Sequence, residues 1–307
     1  METITGLDGH GREGTLRATY SIEDHWITLD GARMRYLRSG SGPALLLLHG
    51  LLGYSFSWRY ALPYLARQAT VHAVDMLGTG FSDRPSDLDC RLRANAERLV
   101  RFLDAVGEDS CDLLGTSHGG AVAMMAAALA PERIRRLVLV APVNPWSHLG
   151  KRMAAFLSAP AVAPLFLRIA PLLEPTHGYF LRRLYGDTRR IRPGTLEGYS
   201  APFALPGAFE SGLGILRTWA QDLEELRSAL PRISHIPTLL LWGGVDAAVD
   251  PASAEPLRRQ FENCRVLMFE GVGHLPYEEV PEEFNRAVAE FLAAEQTVHS
   301  PETTQSE

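Results

Sequence analysis

The sequence predicts an α/β protein with a doubly wound, mostly parallel sheet and an inserted helical domain. Short apolar runs recur along the 307 residues, and such runs are typical of strands that are buried on both faces of a parallel sheet. Segments with helical periodicity separate them, which is the alternation that right-handed βαβ units produce. The alternation stops at Pro142 and resumes near residue 238, so the residues between these points form an insertion.

The N-terminal part of the chain follows this pattern element by element. Residues 25–37 alternate as two short strands around the Asp30-Gly31 turn, which is a hairpin signal. The next predicted elements are a strand at 44–48, a helix at 58–67, a strand at 71–74 and a helix at 89–106. The last helix is followed by Gly107, a residue typical of a helix C-cap.

The remaining strands lie on both sides of the insertion. A strand at 112–114 leads into a helix at 121–130, and a strand at 137–140 follows. After the insertion come a strand at 238–242, a helix from 252, a strand at 265–269 and a helix at 281–294. We therefore expect a discontinuous core, residues 1–145 and 232–307, and a helical cap, residues 146–231. Polar tails are expected at 1–20 and 296–307.

Composition and charge argue against several classes of function. The net charge of −6 and the pI near 5.9 disfavour nucleic acid or an anionic membrane as the main partner. The three cysteines are too widely spaced for a disulfide framework or a metal site. There is no phosphate-cradling glycine loop either, so we expect no cofactor and no metal.

The chain also lacks the sequence signals of export and of membrane insertion. The N-terminus is polar and has no apolar secretory segment. The apolar stretch at 153–173 contains Arg168 and three prolines, which a spanning helix does not tolerate well. We expect a cytoplasmic protein that acts on a small molecule and does not span a membrane. The oligomeric state is left open.

The candidate nucleophile is Ser117, at the centre of a Gly-x-Ser-x-Gly motif. An apolar run precedes the motif and an Ala-rich helical run follows it, so the serine sits at a sharp turn from strand to helix. Because Gly115 and Gly119 have no side chains, they avoid the collision that larger residues would cause across this turn. The backbone N–H of His118 is then placed to stabilise an oxyanion, while its side chain diverges from the serine hydroxyl.

The candidate base and acid follow two later strands. Asp246 comes after the strand at 239–242, and His274 comes after the strand at 266–269. Carboxyl ends of parallel strands meet at one edge of the sheet, so these side chains are expected near Ser117. A serine hydroxyl needs such a base, and the base needs an acid to orient it. A second oxyanion donor is expected from the backbone N–H of Leu51, which follows the strand at 44–48.

Other residues compete for these roles. Asp250 precedes Pro251 at a helix start, which favours capping over catalysis. Asn144 carries no charge with which to orient an imidazole. His49, at the end of its strand, is interpreted as a packed structural residue.

Taken together, these motifs resemble the α/β-hydrolase superfamily with a helical cap, over residues 25–292. The resemblance rests on His49-Gly50, residues 75–85, the turn at Ser117, Trp242-Gly243-x-x-Asp246 and Gly273-His274. It implies a Ser117–His274–Asp246 triad and an oxyanion hole at Leu51 and His118. It gives no catalytic role to residues 75–85, which are expected to be a structural loop.

A serine nucleophile limits the classes of reaction that this site is expected to catalyse. Residues 55–60 resemble epoxide hydrolases, but these enzymes and haloalkane dehalogenases attack an sp³ carbon with a carboxylate. A serine would leave an ether that the triad does not hydrolyse, so this activity is doubtful. Carbon–carbon hydrolases also use a serine, usually with a Gly-rich oxyanion loop and an Asn before the serine. Here Leu51-Leu52 and Thr116 take these places.

We therefore expect a serine hydrolase that cleaves small to medium, largely apolar carboxylic esters. The alternatives are a carbon–carbon bond hydrolase of the same fold and a non-catalytic ligand-binding member. Large apolar residues of the cap are expected mostly to pack it onto the core, with some turned toward the cleft. These residues include Phe156, Leu157, Leu165, Phe166, Leu167 and Ile169.

Overall fold

The computed structural model describes residues 21–170 and 174–294, with the side chains of all of these except 151–153 and 174–176. The predicted tails at 1–20 and 296–307 lie outside the described residues. Within them, eight strands form one sheet in the order β1-β2-β4-β3-β5-β6-β7-β8. The strands are β1 Glu23–Leu29, β2 Ala32–Ser39, β3 Ala44–Leu48, β4 Thr70–Val74, β5 Cys111–Thr116, β6 Ile134–Val140, β7 Thr238–Gly243 and β8 Cys264–Phe269.

The sheet is antiparallel at one end and parallel elsewhere. β1 pairs antiparallel with β2, β2 pairs antiparallel with β4, and all other neighbours are parallel. At the β1–β2 turn Asp30 and Gly31 have φ angles of 54° and 79°, as in the type I′ turns that match the twist of a hairpin. The predicted α/β class with a doubly wound, mostly parallel sheet is confirmed.

Two hydrophobic cores cover the sheet, one on each face. Leu46 and Leu48 of β3 belong to one core, and Leu45 and Leu47 belong to the other, because side chains alternate along a strand. This burial on both faces accounts for the wholly apolar sequence of β3. The helices packed on the first face include α2 Leu92–Val106 and α3 His118–Leu129, and those on the second include α1 Leu62–Leu65 and α11 Pro281–Ala294.

Two of the predicted helices begin later than expected. Residues 58–67 contain only the four-residue helix α1, with Pro63 in its first turn, where the missing N–H costs nothing. Helix α2 begins at Leu92 and not at residue 89, because the Asp89 side chain accepts the Arg91 N–H (3.0 Å) and holds a turn. The predicted C-cap at Gly107 is confirmed, with φ of 75°.

Residues 146–231, called the insertion below, lie between β6 and β7. Their described part contains helices and no strand. These helices are α4 Lys151–Ser158, α5 Ala163–Ile169, α6 Glu174–Leu184, α7 Thr195–Ser200 and α8 Glu210–Ala229. The division of the chain into a core and a cap at these bounds stays a prediction. Helices α9 Ala254–Arg258 and α10 Pro276–Glu279 follow β7 and β8.

None of the helices in residues 21–170 and 174–294 is both long and apolar enough to cross a bilayer.

Candidate active site

Ser117 lies at a strained turn between β5 and α3. Its backbone has φ of 53° and ψ of −121°, a conformation that costs energy and persists only where the surroundings impose it. Its N–H donates to the Val140 carbonyl of the next strand at 2.9 Å. The flanking glycines are required by close backbone contact: a Cβ on Gly115 would lie 2.4 Å from the Gly119 oxygen, and one on Gly119 would lie 2.3 Å from the His49 oxygen.

Asp246 and His274, predicted from separate loops, are in direct contact. His274 Nδ1 lies 2.8 Å from Asp246 Oδ2, and both side chains are buried. The other carboxylate oxygen accepts the N–H groups of Ala248 (2.7 Å) and Val249 (3.0 Å), so the carboxylate is held on both sides. A carboxylate bonded to Nδ1 keeps the proton there and leaves Nε2 to accept one. His274 and Ser117 line the same cavity.

The predicted oxyanion donors are free to bind a substrate. In the described residues, the N–H groups of Leu51 and His118 have no hydrogen-bond partner. The Gly50 carbonyl bonds to His49 Nδ1 at 2.8 Å and to the Gly53 N–H at 3.0 Å. Because N–H and C=O point in opposite directions in a trans peptide, these bonds direct the Leu51 N–H away from His49. A Cβ on Gly50 would lie only 3.2 Å from the Ser117 Cβ, which places this peptide beside the nucleophile.

The His118 side chain takes no part in the cavity that Ser117 lines. It is buried, stacks on Trp219 with ring centroids 6.4 Å apart, and contributes to a separate small cavity together with Asp222. Burial, with a smaller contribution from His49, lowers the pKa of His118 to about 4. The ring is therefore neutral near pH 7 and unsuited to act as the base.

The rival residues have other partners. Asp250 accepts the Ala252 N–H at 2.9 Å and caps the turn after it, as predicted. Asn144 Oδ1 accepts the N–H groups of Trp146 (3.0 Å) and Ser147 (3.2 Å), so it stabilises its own loop.

His49 is the packed structural residue that the sequence suggested. Its Nε2 accepts the Met76 N–H at 3.1 Å, while Nδ1 bonds to Gly50. Desolvation lowers the pKa of His49, which keeps the ring neutral and able to accept at Nε2.

Glu279 is a buried carboxylate that supports the His274 loop and that was not predicted from the sequence. Its Oε1 accepts the Gly273 N–H (2.7 Å) and the Gly186 N–H (3.0 Å), and its Oε2 accepts the Asp187 N–H (3.1 Å). Arg190 of the insertion lies 3.4 Å from Oε2. Two adjacent acidic residues before an amphipathic helix are also common at exposed helix N-termini. The sequence therefore gives no signal that this carboxylate is buried.

Its neighbour Glu278 binds side chains instead of backbone. Arg59 donates to both of its oxygens, and the hydroxyls of Tyr199 (2.7 Å) and Tyr185 (3.3 Å) donate as well. Burial raises the pKa of Tyr199 well above its usual range. Both tyrosines belong to the insertion, so the two adjacent glutamates connect it to the core in different ways.

Ser117 and His274 open into a cavity of about 570 Å³. Its wall is mainly apolar and comes largely from the insertion, with Ala154, Leu157, Phe166, Leu181, Leu216 and Trp219 among its residues. Arg183 is the one charged side chain among the described lining residues, and its guanidinium donates to the Tyr179 hydroxyl at 3.2 Å. No group of three or more His, Cys, Asp or Glu side chains in the described part of the chain is arranged to hold a metal ion. The site can thus supply a nucleophile, a base and two N–H donors to an apolar ligand.

Known proteins are similar to this chain in sequence and in fold. A family model described as the alpha/beta hydrolase fold matches residues 43–281. The 2-hydroxymuconate semialdehyde hydrolase of Pseudomonas sp. is 29% identical over 87% of this chain and 93% of its own. The 2-hydroxy-6-oxo-2,4-heptadienoate hydrolase of Pseudomonas putida is 30% identical over 83% of this chain and 91% of its own. Among solved structures, haloalkane dehalogenase DbeA from Bradyrhizobium elkani is 25% identical with a TM-score of 0.77, covering 89% of this chain and 98% of that one. Because the family model spans most of the chain, the protein is a hydrolase of the α/β-hydrolase family.

Proposed function

We propose that the protein hydrolyses small to medium, largely apolar carboxylic esters through an acyl-enzyme. The observation that carries this proposal is the buried His274–Asp246 pair, whose histidine lines the same mainly apolar cavity as Ser117. In the first half-reaction Ser117 Oγ attacks the ester carbonyl and its proton passes to His274 Nε2. The carbonyl oxygen becomes an oxyanion that the N–H groups of Leu51 and His118 stabilise. His274 then protonates the departing alcohol.

Water completes the cycle. It attacks the carbonyl carbon of the acyl group bound to Ser117 Oγ and gives a proton to His274. The bond to Oγ then breaks, His274 returns the proton to the serine, and the carboxylic acid leaves. Asp246 keeps its hydrogen bond to His274 Nδ1 throughout and stabilises the imidazolium that forms twice. Low dielectric around the buried pair strengthens this interaction relative to water.

Hydrolysis of a carbon–carbon bond is the second candidate, and the names of the two Pseudomonas relatives favour it. These names describe substrates that carry a carboxylate, which a cationic side chain in the site would stabilise. Here Arg183 is the one charged lining residue, exposed and bonded to a tyrosine, and Thr116 precedes the serine. These features support the ester instead. A direct comparison of kcat/KM for p-nitrophenyl butyrate and for a 2-hydroxy-6-oxo-dienoate separates the two candidates.

Ser117→Ala is expected to lower ester turnover by at least ~10³-fold, because it removes the nucleophile and leaves the oxyanion donors. The measurement is hydrolysis of p-nitrophenyl butyrate by purified wild type and variant, with circular dichroism to show that both are folded. A fluorophosphonate probe should label the wild type at Ser117 alone. Labelling at another serine, or full activity in the variant, contradicts the assignment and favours a ligand-binding role.

The length of the acyl chain should control kcat/KM. Each methylene that the apolar wall buries contributes up to ~0.8 kcal/mol, or roughly fourfold. We expect kcat/KM to rise from acetyl to roughly butyryl or hexanoyl p-nitrophenyl esters and then to fall when the cavity is full. A maximum at the acetyl ester would show that the apolar wall does not bind the acyl chain.

The two aspartates after β7 should differ in role. Asp246→Asn is expected to lower kcat by at least ~10²-fold, because the imidazole loses the charge that orients it. Asp250→Ala removes a cap and should lower the free energy of unfolding by ~1 kcal/mol with kcat changed less than about twofold. Ester kinetics and urea unfolding of both variants test this pair, and the reverse pattern would exchange the two roles.

Glu279→Gln should impair the base, whereas Glu278→Gln should not. Glutamine keeps the size of Glu279 but turns an NH₂ group toward one of the N–H donors, which displaces the His274 loop. Such a displacement is expected to lower kcat by roughly 10-fold or more with little change in KM. Glu278→Gln loosens Arg59 and Tyr199. Because Tyr199 lines the cavity, this change should act mainly on KM.

Proton NMR provides the readout that does not depend on turnover. The downfield signal of the His274 Nδ1–H, assigned by its loss in Asp246→Asn, should broaden in Glu279→Gln and persist in Glu278→Gln. Equal behaviour of the two glutamate variants would mean that Glu279 has only the structural role of its neighbour.

A further inference from the structure

Three short helices of the insertion expose large apolar side chains. Phe156 of α4 is 59% exposed, Leu165 of α5 is 58% exposed and Phe180 of α6 is 61% exposed. Ile169 and Tyr179, on α5 and α6, are exposed as well. The expectation that such residues mainly pack the cap onto the core is therefore wrong for Phe156, Leu165 and Ile169. Apolar side chains that remain uncovered on one surface commonly mark an interaction site.

Other residues of the same helices line the cavity that contains Ser117. They include Leu157 of α4, Phe166 of α5 and Leu181 of α6. Phe156, Leu165 and Ile169 are exposed and do not line the cavity, so they lie on the outside of its wall. Phe180 and Leu149 are exposed and also line the cavity, so the mouth of the cavity opens at this surface. We call the exposed residues Phe156, Leu165, Arg168, Ile169, Tyr179, Phe180 and Arg182 the outer face.

The outer face is basic although the chain is acidic. The outer face contains two basic residues, Arg168 and Arg182, and no acidic residue, whereas the whole chain has a net charge of −6. Arg168 and Arg182 are exposed, and no carboxylate among the described side chains forms an ion pair with them. Whole-chain charge predicts a poor match to an anionic membrane, but a charge acts only within about one Debye length, ~10 Å at 0.1 M salt. The local excess decides the partner of this surface.

We propose that the outer face docks on the surface of an anionic phospholipid bilayer. Phenylalanine and leucine side chains insert at the boundary between headgroups and acyl chains, and arginines extend to the phosphates. A symmetric contact with a second copy is disfavoured, because it would bring together two outer faces that each carry Arg168 and Arg182 and no carboxylate. Docking turns the cavity mouth toward the membrane, so esters dissolved in it become the substrate class. This last step rests on the proposed ester hydrolysis, whereas docking itself does not.

Vesicle co-sedimentation tests the docking. Full-length protein is mixed with phosphatidylcholine vesicles that contain no phosphatidylglycerol or about 30 mol % of it, at low salt and at about 0.5 M KCl. We expect binding to the anionic vesicles, at least ~10-fold weaker binding to phosphatidylcholine alone, and loss of binding at high salt.

Two pairs of variants identify the surface. Phe156→Asp with Leu165→Asp should lower the partition coefficient by at least ~10-fold, and Arg168→Glu with Arg182→Glu should lower it by at least ~25-fold. None of the four residues lines the cavity, so turnover of soluble p-nitrophenyl butyrate should be retained and shows that the variants are folded. The controls are Trp26→Asp, an apolar residue 46% exposed on β1, and Arg232→Glu with Arg265→Glu, which make the same change in net charge elsewhere. Both controls should bind as the wild type does.

Several results would overturn the proposal: no binding of the wild type to anionic vesicles, equal loss in the control variants, or equal binding to both kinds of vesicle. A wild-type dimer in sedimentation velocity that Phe156→Asp with Leu165→Asp converts to a monomer would assign the outer face to self-association. Binding to vesicles without turnover of any soluble ester would leave the docking intact and reject the proposed function alone. Ester turnover without vesicle binding would do the reverse.

Discussion

The candidate active site depends on a contact between two backbone segments that are far apart in the sequence. Residues 184–187 of the insertion pack directly on residues 271–274 after β8. The His274 N–H donates to the Leu184 carbonyl at 2.7 Å, and a Cβ on Gly273 would lie 2.4 Å from that same oxygen. Glycine is required because no side chain fits between the two segments. His274 is thus held by a segment that also contributes Leu184 to the cavity wall, so the proposed base and the wall share one support.

The buried glutamates follow from this arrangement. Two irregular segments packed on each other have N–H groups that no helix or strand satisfies, and each unpaired buried N–H costs free energy. The carboxylate of Glu279 accepts three of them, from Gly273, Gly186 and Asp187. Arg190 forms an ion pair with this carboxylate. Their attraction offsets part of the free energy that burying the charge costs. The charge of Glu278, which is buried, is likewise balanced by Arg59, which is partly buried.

Elements governed by local rules were predictable from sequence. The apolar strands, the Asp30-Gly31 hairpin and the Gly107 cap each follow from a periodicity or a backbone preference of their own residues. The proximity of Asp246 and His274 was also accessible, because parallel strands bring their carboxyl ends to one edge. Glu279 was not, since its burial depends on the path of a segment about ninety residues away, which no local pattern encodes.

The exposure of apolar residues on α4–α6 was not predictable from local sequence patterns either. A helix of seven residues such as α5 has apolar side chains on two sides, Phe166 toward the cavity and Leu165 toward solvent. Periodicity reports that both sides are apolar, but it does not report which side another part of the chain covers. Helices α4–α6 supply part of the cavity wall, and the described residues leave Phe156, Leu165 and Phe180 on these helices more than half exposed. The exposed side chains of Arg168 and Arg182 on α5 and α6 favour an anionic partner for this surface.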